Sequence, residues 1–328
     1  MSGNGSRETP NEGNAVSTES VVRPARRVGS GRRKASRAPG GRNDLGAALV
    51  FLLPAFIGFA AFYLYPTIRG FYFSLTQYNL LGTPKFIGFA NYSKIFADPL
   101  FWNALRVTVE YVLINIGLQT VLAVGLAVLM DRLTKSTLLR GALLLPWLIS
   151  NVIAAMLWFW LLDYQIGLVN QVIEFFGGNP TAFFGDERFA IPTIALVNVW
   201  RNMGYTALLV FAGLQTVPRY VYEAASIDGS SEWNSFWHIT LPLLRPVLAM
   251  VLVLTVTGSF QVFDTVAVTT RGGPVNVTRV IQYYIYQKAF GEGQFGYASA
   301  LSVILFVIVG ILATAQLRLL RSGESDLA

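Results

Sequence analysis

The sequence predicts an all-α membrane protein with six transmembrane helices. Of its 328 residues, 53% are hydrophobic and only 13% are charged, whereas charged residues make up about 25% of a typical soluble domain. The apolar residues are also grouped into stretches whose length is close to the roughly 20 residues that a helix needs to cross a bilayer. Composition and grouping together place the chain among membrane proteins.

The composition also argues against several kinds of site. Without any cysteine, the chain forms neither a disulfide nor a thiolate metal site. Its single histidine, His238, argues against a histidine-based metal site or proton relay. Paired carboxylates, a histidine cluster and a nucleophile motif are all missing from the edges of the apolar stretches. We therefore expect a protein that is not an enzyme, with no catalytic residues and no metal ligands.

The first 44 residues are predicted to be a disordered, basic cytoplasmic tail. They contain nine Lys and Arg residues, are rich in Gly, Ser, Pro and Asn, and show no apolar periodicity. The stretch GSGRRKAS at 29–36 lacks the Gly-Lys-Ser/Thr ending, the preceding strand and the following helix of a phosphate-binding loop. A basic segment before an apolar run usually marks the cytoplasmic side of a membrane. We therefore expect no nucleic-acid partner.

Six apolar stretches within residues 45–320 are predicted to span the membrane. They are Leu45–Tyr65, Val107–Leu129, Leu138–Leu162, Ile191–Leu214, Pro246–Phe263 and Tyr297–Leu317. Prolines lie in or at the edges of three of them, and neighbouring helices can satisfy the carbonyls that a proline frees. Residues 321–328 are predicted to be a short cytoplasmic tail.

Six spans place both termini on one side of the membrane, and the basic tail assigns that side to the cytoplasm. The inner segments carry 16 Lys and Arg residues and the outer segments carry eight, but without the tail the balance is seven against eight. The orientation therefore depends on the tail and on the shorter inner loops. The outer loops contain KFIGFANYSKIFADPLFWNAL and GLVNQVIEFFG, whose helical apolar patterns fit either docking of a soluble partner or capping of the helix bundle.

The inner loop between the fourth and fifth spans is predicted to begin with a helix of about three turns, PRYVYEAASID. Pro218 suits the first turn of a helix, and Gly229 suits a left-handed helix end. One side of this helix consists mainly of small residues that another surface can approach closely. These residues are Val221, Ala224, Ala225 and Asp228.

A second short helix is predicted to follow in the same loop. Ser230 or Ser231 can cap it, and Glu232 in its first turn lies near the positive end of the helix dipole. The helix is expected to stop near Pro242. Two helices and a sharp turn are more than a plain connector needs, so we expect this loop to be compact and to protrude into the cytoplasm.

This loop resembles the signature loop of the membrane subunits of ABC importers. That pattern is Glu-Ala-Ala, three residues, Gly, nine residues, Ile, one residue and Leu-Pro. The matching positions here are Glu223, Ala224, Ala225, Gly229, Ile239, Leu241 and Pro242. Residues 45–320 are similar to the carbohydrate-uptake branch of these importers, the maltose and glycerol-phosphate type, with matches in FIGFANYSKIF, VFDTVAVTTRGGPVNVT and YIYQKAF.

The resemblance implies a type I ABC importer transmembrane fold with cytoplasmic coupling helices, in the 218–243 segment here. In that family the coupling helix lies in a cleft of a separate ATP-hydrolysing subunit, whose closure turns the permease from inward-open to outward-open. Glu223 would then anchor the contact, Gly229 would be the hinge turn, and Asp228 would lie beside them. The chain has no Walker motif, so we expect it to bind no cofactor, with ATP and Mg used by partner subunits.

The same resemblance implies the partners and the location of the chain. We expect a second, homologous permease subunit, two ATP-binding subunits and an extracytoplasmic solute-binding protein. The expected location is the inner membrane of a bacterium, where the chain crosses the lipid several times and leaves both termini in the cytoplasm.

The fourth span carries polar residues, which are costly in a membrane and usually functional. Asn198, Arg201, Asn202 and Tyr205 stand at positions i, i+3, i+4 and i+7. They therefore share one helix face, and their amide, guanidinium and phenol groups suit the hydroxyls of a sugar. Four tryptophans in or near these spans are expected to pack or to lie at the membrane interface: Trp147, Trp158, Trp160 and Trp200.

The fifth span carries a second such face, where Thr255, Ser259 and Val262 stand at i, i+4 and i+7, with Gln261 nearby. In the sugar-importer family that the chain resembles, the substrate is held by these two spans, which implies that these residues and those of the fourth span contact it. The family has a polar residue at the position of Val262 and an apolar one at that of Arg201.

Arg201 leaves two interpretations open. It contacts a sugar hydroxyl or an anionic group such as a phosphate, or it forms a buried ion pair with an acid. The candidate acids are Glu110, Asp163 and Asp264. Two substrate classes follow, a di- or oligosaccharide and, as the alternative, glycerol 3-phosphate or a phosphodiester. A proton- or sodium-driven transporter is disfavoured because Glu110 is the only acid within a predicted span and no internal repeat is visible.

Overall fold

The computed structural model describes residues 42–133 and 136–321. Most of both predicted tails, residues 1–41 and 322–328, lies outside this described part. The chain divides between Ile57 and Gly58 into two units, and the second unit contains most of the described residues.

The first described segment is helical and leads into a short antiparallel strand pair. Its elements are α1 (Arg42–Phe59), a π-helical turn (Ala60–Leu64), α2 (Tyr65–Ser74), β1 (Thr76–Gln77) and β2 (Lys85–Phe86). In the strand pair, Thr76 lies opposite Phe86. The sequence analysis predicted only helices, so this pair in the first outer loop is an addition to the predicted fold.

The remaining elements are all helical. Up to the end of the fourth predicted span they are α3 (Ala90–Ala97), α4 (Pro99–Leu133), α5 (Thr137–Leu148), α6 (Asn151–Leu161), α7 (Leu168–Phe175) and α8 (Ala190–Leu214). After it they are α9 (Arg219–Ile227), α10 (Glu232–Ser235), a π-helical turn (Phe236–Thr240), α11 (Leu241–Leu243), α12 (Arg245–Phe260), α13 (Asp264–Thr269), α14 (Ile281–Tyr286), a second such turn (Gln287–Gly291) and α15 (Phe295–Arg321). Helix α7 confirms the amphipathic segment predicted in the second outer loop.

Five helical stretches in the described part of the chain are long and apolar enough to cross a membrane. They are Leu49–Ser74, Pro99–Arg132, Ala190–Leu214, Arg245–Thr269 and Phe295–Arg318. These stretches confirm the first, second, fourth, fifth and sixth predicted spans. Their ends differ from the prediction, since the first continues to Ser74 and the second already begins at Pro99.

The third predicted span is not one straight helix. Helices α5 and α6 meet at an angle of 91°, as in a broken span or a re-entrant loop. Ile149 and Ser150 between them have extended ψ angles of 138° and 143°, and Pro146 in the last turn of α5 has no N–H to continue the ladder. The third predicted span, Leu138–Leu162, is therefore present as a bent helix pair, and the break leaves carbonyls at the end of α5 without helical donors.

Helix α8 is the central packing element, and it contacts α4, α5 and α12. At its crossing with α5, Gly204 is buried, and a Cβ atom there would lie 1.8 Å from the carbonyl oxygen of Leu143. The helices can approach this closely only because residue 204 has no side chain.

We predict that Gly204→Ala destabilises the folded protein by about 1–3 kcal/mol, because the added methyl group overlaps the α5 backbone. Thermal unfolding of the purified protein in detergent measures the change. The matched control is Gly117→Ala in α4, where an added Cβ meets nothing within 4 Å. Equal unfolding temperatures for the two variants would contradict this account of the α5–α8 contact.

A carboxylate cluster joins the start of α4 to α14 and α15. Asp98 Oδ2 accepts hydrogen bonds from the hydroxyls of Tyr284 and, at 2.9 Å, Tyr297. Burial opposes ionisation of Asp98, but these hydrogen bonds, the N–H of Leu100 and the charge of Lys288 outweigh it, so the pKa of Asp98 lies below its ordinary value of 3.8. The ionised carboxylate is thus the form that holds these elements together.

We predict that Asp98→Asn lowers the unfolding temperature at neutral pH and that this difference narrows as the pH falls below about 4. A carboxyl whose pKa is depressed by folding stabilises the protein above its unfolded pKa, and this stabilisation is lost as the pH falls through the folded pKa. Unfolding temperatures of both proteins between pH 3 and 7 check it, with the exposed Glu187→Gln as control. A difference that does not change with pH would show that ionisation of Asp98 is not involved.

Candidate functional site

A polar cavity of about 280 Å³ lies among α4, α8, α12 and α13. All eight residues that the sequence predicts as substrate contacts line it. They are Asn198, Arg201, Asn202, Tyr205, Thr255, Ser259, Gln261 and Val262. The two helix faces predicted from sequence spacing therefore converge on one space, while contact of these residues with a solute stays a prediction.

The amide groups on α8 are bonded largely within the protein. Asn198 Nδ2 donates to the carbonyl of Ile194 at 2.9 Å and to Thr265 Oγ1 at 3.1 Å. Asn202 Nδ2 donates to the carbonyl of Asn198 at 2.8 Å. The contact with Thr265 also ties α8 to α13, so one wall of the cavity is fixed to its neighbour.

Arg201 binds the break between α5 and α6. Its Nε donates to the carbonyl of Ile149 at 2.9 Å, and its Nη2 donates to the carbonyl of Trp147 at 3.1 Å. A forked guanidinium suits two neighbouring carbonyls, and a cation is favourable at the C-terminal end of a helix. The side-chain ion pairs within the described residues are Arg132–Glu232 and Lys288–Glu292, so Arg201 forms no close ion pair with a described acid, although the charge of Asp264 acts on it.

Helix α4 supplies a third wall that the sequence analysis missed. Tyr111, Asn115 and Gln119 all line the cavity, and their spacing of i, i+4 and i+8 places them on one helix face. The same spacing rule that selected the residues of α8 would have found them. Trp147 also lines the cavity, where its ring stacks on Tyr205 with centroids 4.7 Å apart, so this tryptophan packs as expected but also faces the site.

A hydrogen-bond network joins the three walls. Asn115 Nδ2 donates to Ser259 Oγ at 2.9 Å and to Gln119 Oε1 at 3.2 Å. Gln119 Nε2 donates to Thr206 Oγ1 at 2.8 Å. Since Ser259 lies on α12 and Thr206 on α8, α4 is bound to both helices at the depth of the cavity.

The loop between α8 and α12 has the predicted helix–turn–helix form. Helix α9 follows Pro218, Gly229 has a left-handed φ of 76°, and Ser231 caps α10 by accepting a hydrogen bond from the N–H of Asn234 at 3.3 Å. The predicted stop near Pro242 is confirmed, since α11 ends at Leu243. The π-helical turn ends just before α11, and there the N–H of Leu241 bonds to the carbonyl of Phe236.

The signature residues of this loop differ in exposure. Glu223, Ala224, Asp228 and Gly229 are exposed, Ala225 is buried, and Ile239, Leu241 and Pro242 are half-buried. Ala225 thus packs into its own chain, while Ala224 and Asp228 on the same side of the helix stay exposed. The carboxylate of Glu223 has no hydrogen bond or ion pair with any described residue, so it is available to a partner.

Polar contacts hold this loop against the end of α4. Arg132 forms an ion pair with Glu232 of α10. The neighbouring Asp131 accepts a hydrogen bond from Gln215 at 2.6 Å, and within the loop the hydroxyls of Tyr222 and Thr240 lie 3.1 Å apart. The loop is therefore in direct contact with the end of α4.

Apolar helices around a polar cavity, with a compact exposed loop beside them, define the membrane-embedded subunit of a transporter. The chain belongs to the family of binding-protein-dependent transport system inner membrane components, whose family model matches residues 119–322. It is accordingly an inner membrane component and a permease subunit of an ABC importer.

Similar proteins include two permeases and one solved transporter. The sulfoquinovosyl glycerol transport system permease protein SmoG of Agrobacterium fabrum is 34% identical over 86% of this chain and 93% of that protein. The trehalose/maltose transport system permease protein MalF of Thermococcus litoralis is 33% identical over 79% and 88%. A chain of a bacterial alginate ABC transporter, solved in complex with an alginate pentasaccharide-bound periplasmic protein, matches with a TM-score of 0.75 at 22% identity over 84% and 93%. This likeness confirms the predicted type I ABC importer transmembrane fold.

We predict that Arg201→Lys destabilises the protein by about 1–3 kcal/mol, because a lysine keeps the charge but cannot bond both carbonyls at the α5–α6 break. Thermal unfolding in detergent measures the loss, and the exposed Arg188→Lys is the matched control. If the two variants unfold at the same temperature, Arg201 does not hold the break.

Proposed function

We propose that this chain is the permease subunit of an ATP-driven importer that moves a neutral sugar, a di- or oligosaccharide, from an extracytoplasmic binding protein into the cytoplasm by alternating access. The observation that carries the proposal is the chemistry of the cavity. Its lining combines amides, hydroxyls and aromatic rings with one cation, Arg201, and one carboxylate, Asp264. Such groups bind the hydroxyls and apolar faces of a sugar.

The charge of the cavity favours a neutral sugar over glycerol 3-phosphate or a phosphodiester. A bound phosphate calls for cationic donors that are free to reach it. Arg201 already donates to two main-chain carbonyls and to Asn202 Oδ1, and the carboxylate of Asp264 lines the same cavity. An anion would thus meet a committed guanidinium and a like charge.

The relatives support a sugar as the substrate, and the cavity size supports a short one. The names of SmoG and MalF assign them sulfoquinovosyl glycerol, a sugar that carries an anionic sulfonate, and trehalose or maltose, which are neutral. At about 280 Å³, the cavity is slightly smaller than the range of roughly 300–1,000 Å³ for ligand pockets. This size favours a short sugar over a polymer.

Energy for import comes, on this proposal, from two separate ATPase subunits that use ATP and Mg, while the chain itself binds no cofactor. The exposed Glu223 anchors the 218–243 loop in an ATPase cleft, and Gly229 forms the turn behind it. A second, homologous permease completes the transmembrane pathway. The loop and both termini lie on the cytoplasmic side, and the binding protein delivers sugar to the opposite side.

We predict that Glu223→Ala lowers ATP-driven import at least tenfold while the subunits still assemble, because the exposed carboxylate makes no contact that the fold needs. Import is measured in vesicles that contain the co-expressed complex and its binding protein, with labelled trehalose, maltose, lactose and glycerol 3-phosphate. The matched control is Glu174→Ala, which removes an exposed carboxylate from α7.

Each result of this experiment has a defined meaning. ATP-dependent import of a disaccharide that only Glu223→Ala abolishes supports the proposal. If glycerol 3-phosphate is the only compound of the panel that is imported, the substrate is a phosphate ester and not a neutral sugar. Uptake that follows a proton gradient without ATP would overturn the coupling mechanism as a whole.

A further inference from the structure

Two side chains on α4 have polar atoms without partners on the wall of the cavity. Tyr111 and Asn115 are separated by one helical turn, and their relative exposures are 2% and 4%. Both line the cavity. Buried polar groups in proteins are nearly always hydrogen-bonded, so each exception calls for an explanation.

The unpartnered atom of Asn115 is its carbonyl oxygen. Both N–H groups of the side chain are committed, one to Ser259 Oγ and one to Gln119 Oε1. Ser259 in turn donates its only proton to the carbonyl of Thr255, so the amide cannot flip without losing both bonds. The orientation is thus fixed, and Oδ1 is left as a buried acceptor with no donor in the described chain.

Tyr111 has a phenol hydroxyl that forms no hydrogen bond with any residue that the structure describes. The side chain is almost fully buried and lines the cavity, but its hydroxyl oxygen is not among the fully buried unpaired atoms, so the hydroxyl is accessible from the cavity. A hydroxyl can both donate and accept. The hydroxyl of Tyr111 can therefore form a hydrogen bond with a hydroxyl group of a solute, and so can the Oδ1 of Asn115.

The other walls differ from α4 in this respect. The N–H groups of Asn198 and Asn202 on α8 bond to carbonyls of their own helix, and Ser259 on α12 bonds to that of Thr255. Tyr205, Thr255 and Gln261 also have polar side-chain atoms without a partner among the described residues, but these side chains are exposed or half-buried. Of the atoms that line the described cavity, Asn115 Oδ1 is the one that is both fully buried and unpaired. A site discriminates most strongly through polar groups that would otherwise stay unpaired.

We propose that α4 is a specificity-determining wall of the sugar site, on which the hydroxyl of Tyr111 and the Oδ1 of Asn115 bind hydroxyl groups of the transported sugar. This inference rests on the proposed function, and it adds a third helix to the two that the sequence analysis selected. Tyr111 and Asn115 then sense two separate hydroxyls of the same sugar.

The test measures import by the assembled complex at saturating loaded binding protein, so that capture by the binding protein is not limiting. The probe is whichever of trehalose, maltose or lactose the wild type imports, together with its monodeoxy analogues. Tyr111→Phe is expected to lower import of the parent sugar about 3–10-fold and to leave the unfolding temperature unchanged, because the lost hydroxyl has no partner in the protein.

The analogue series separates a sugar contact from a structural role. The wild type should import poorly the deoxy analogue that lacks the hydroxyl bound by Tyr111. The Tyr111→Phe variant should import this analogue and the parent sugar at similar rates. The Asn115→Ala variant should no longer discriminate between the parent sugar and a second analogue, which lacks a different hydroxyl. A purely structural effect would lower import of every analogue by the same factor. If the complex with Asn115→Ala fails to assemble, the results for Tyr111→Phe alone decide between a sugar contact and a structural role.

The control is Thr120→Val, which also removes a buried α4 hydroxyl without a partner, but from a residue outside the cavity lining. It should import every sugar at the wild-type rate. Wild-type rates and an unchanged analogue profile in Tyr111→Phe would overturn the α4 inference alone. A wild type that imports none of the three sugars would overturn the proposed function and this inference with it.

Discussion

The hydrogen bonds from Arg201 to the carbonyls of Trp147 and Ile149 are the interaction on which the cavity depends. Inside a membrane every main-chain polar group needs a partner within the protein. The chain breaks its third apolar stretch at 91° and so exposes such carbonyls, and a guanidinium from α8 takes them up. This solution brings a charged residue to the wall of the cavity without leaving its charge free for an anion.

Helix α4 connects the cavity to the 218–243 loop. In its middle, Asn115 and Gln119 bond to α12 and α8, and at its end Arg132 pairs with α10 of the loop. A helix is stiff along its axis because each turn is bonded to the next. On the proposed function, a partner subunit that displaces the loop would act on the same helix that lines the cavity.

Hydropathy and helical periodicity predicted much of this structure, and the failures have physical causes. The polar faces of α8 and α12 were found because their residues repeat with the helical period. The break after α5 was missed because prolines are tolerated in membrane helices, so Pro146 does not by itself signal a bend. The partners of Arg201 were missed because they are main-chain carbonyls, whose positions depend on that bend. The face of α4 was overlooked since three polar residues are diluted in a 35-residue apolar helix.

The division of hydrogen bonds among the walls also bears on how a permease releases its cargo. Amides of α8 that already bond to their own helix keep the cavity folded when it is empty, and they contribute little extra free energy when sugar enters. On the inference drawn above, the hydroxyl of Tyr111 and the Oδ1 of Asn115 then distinguish one sugar from another without binding it tightly. Weak binding suits a pathway in which a separate binding protein captures the solute, because a tight site within the membrane would slow release into the cytoplasm. Selectivity in such a carrier is therefore best placed in a few unpaired groups.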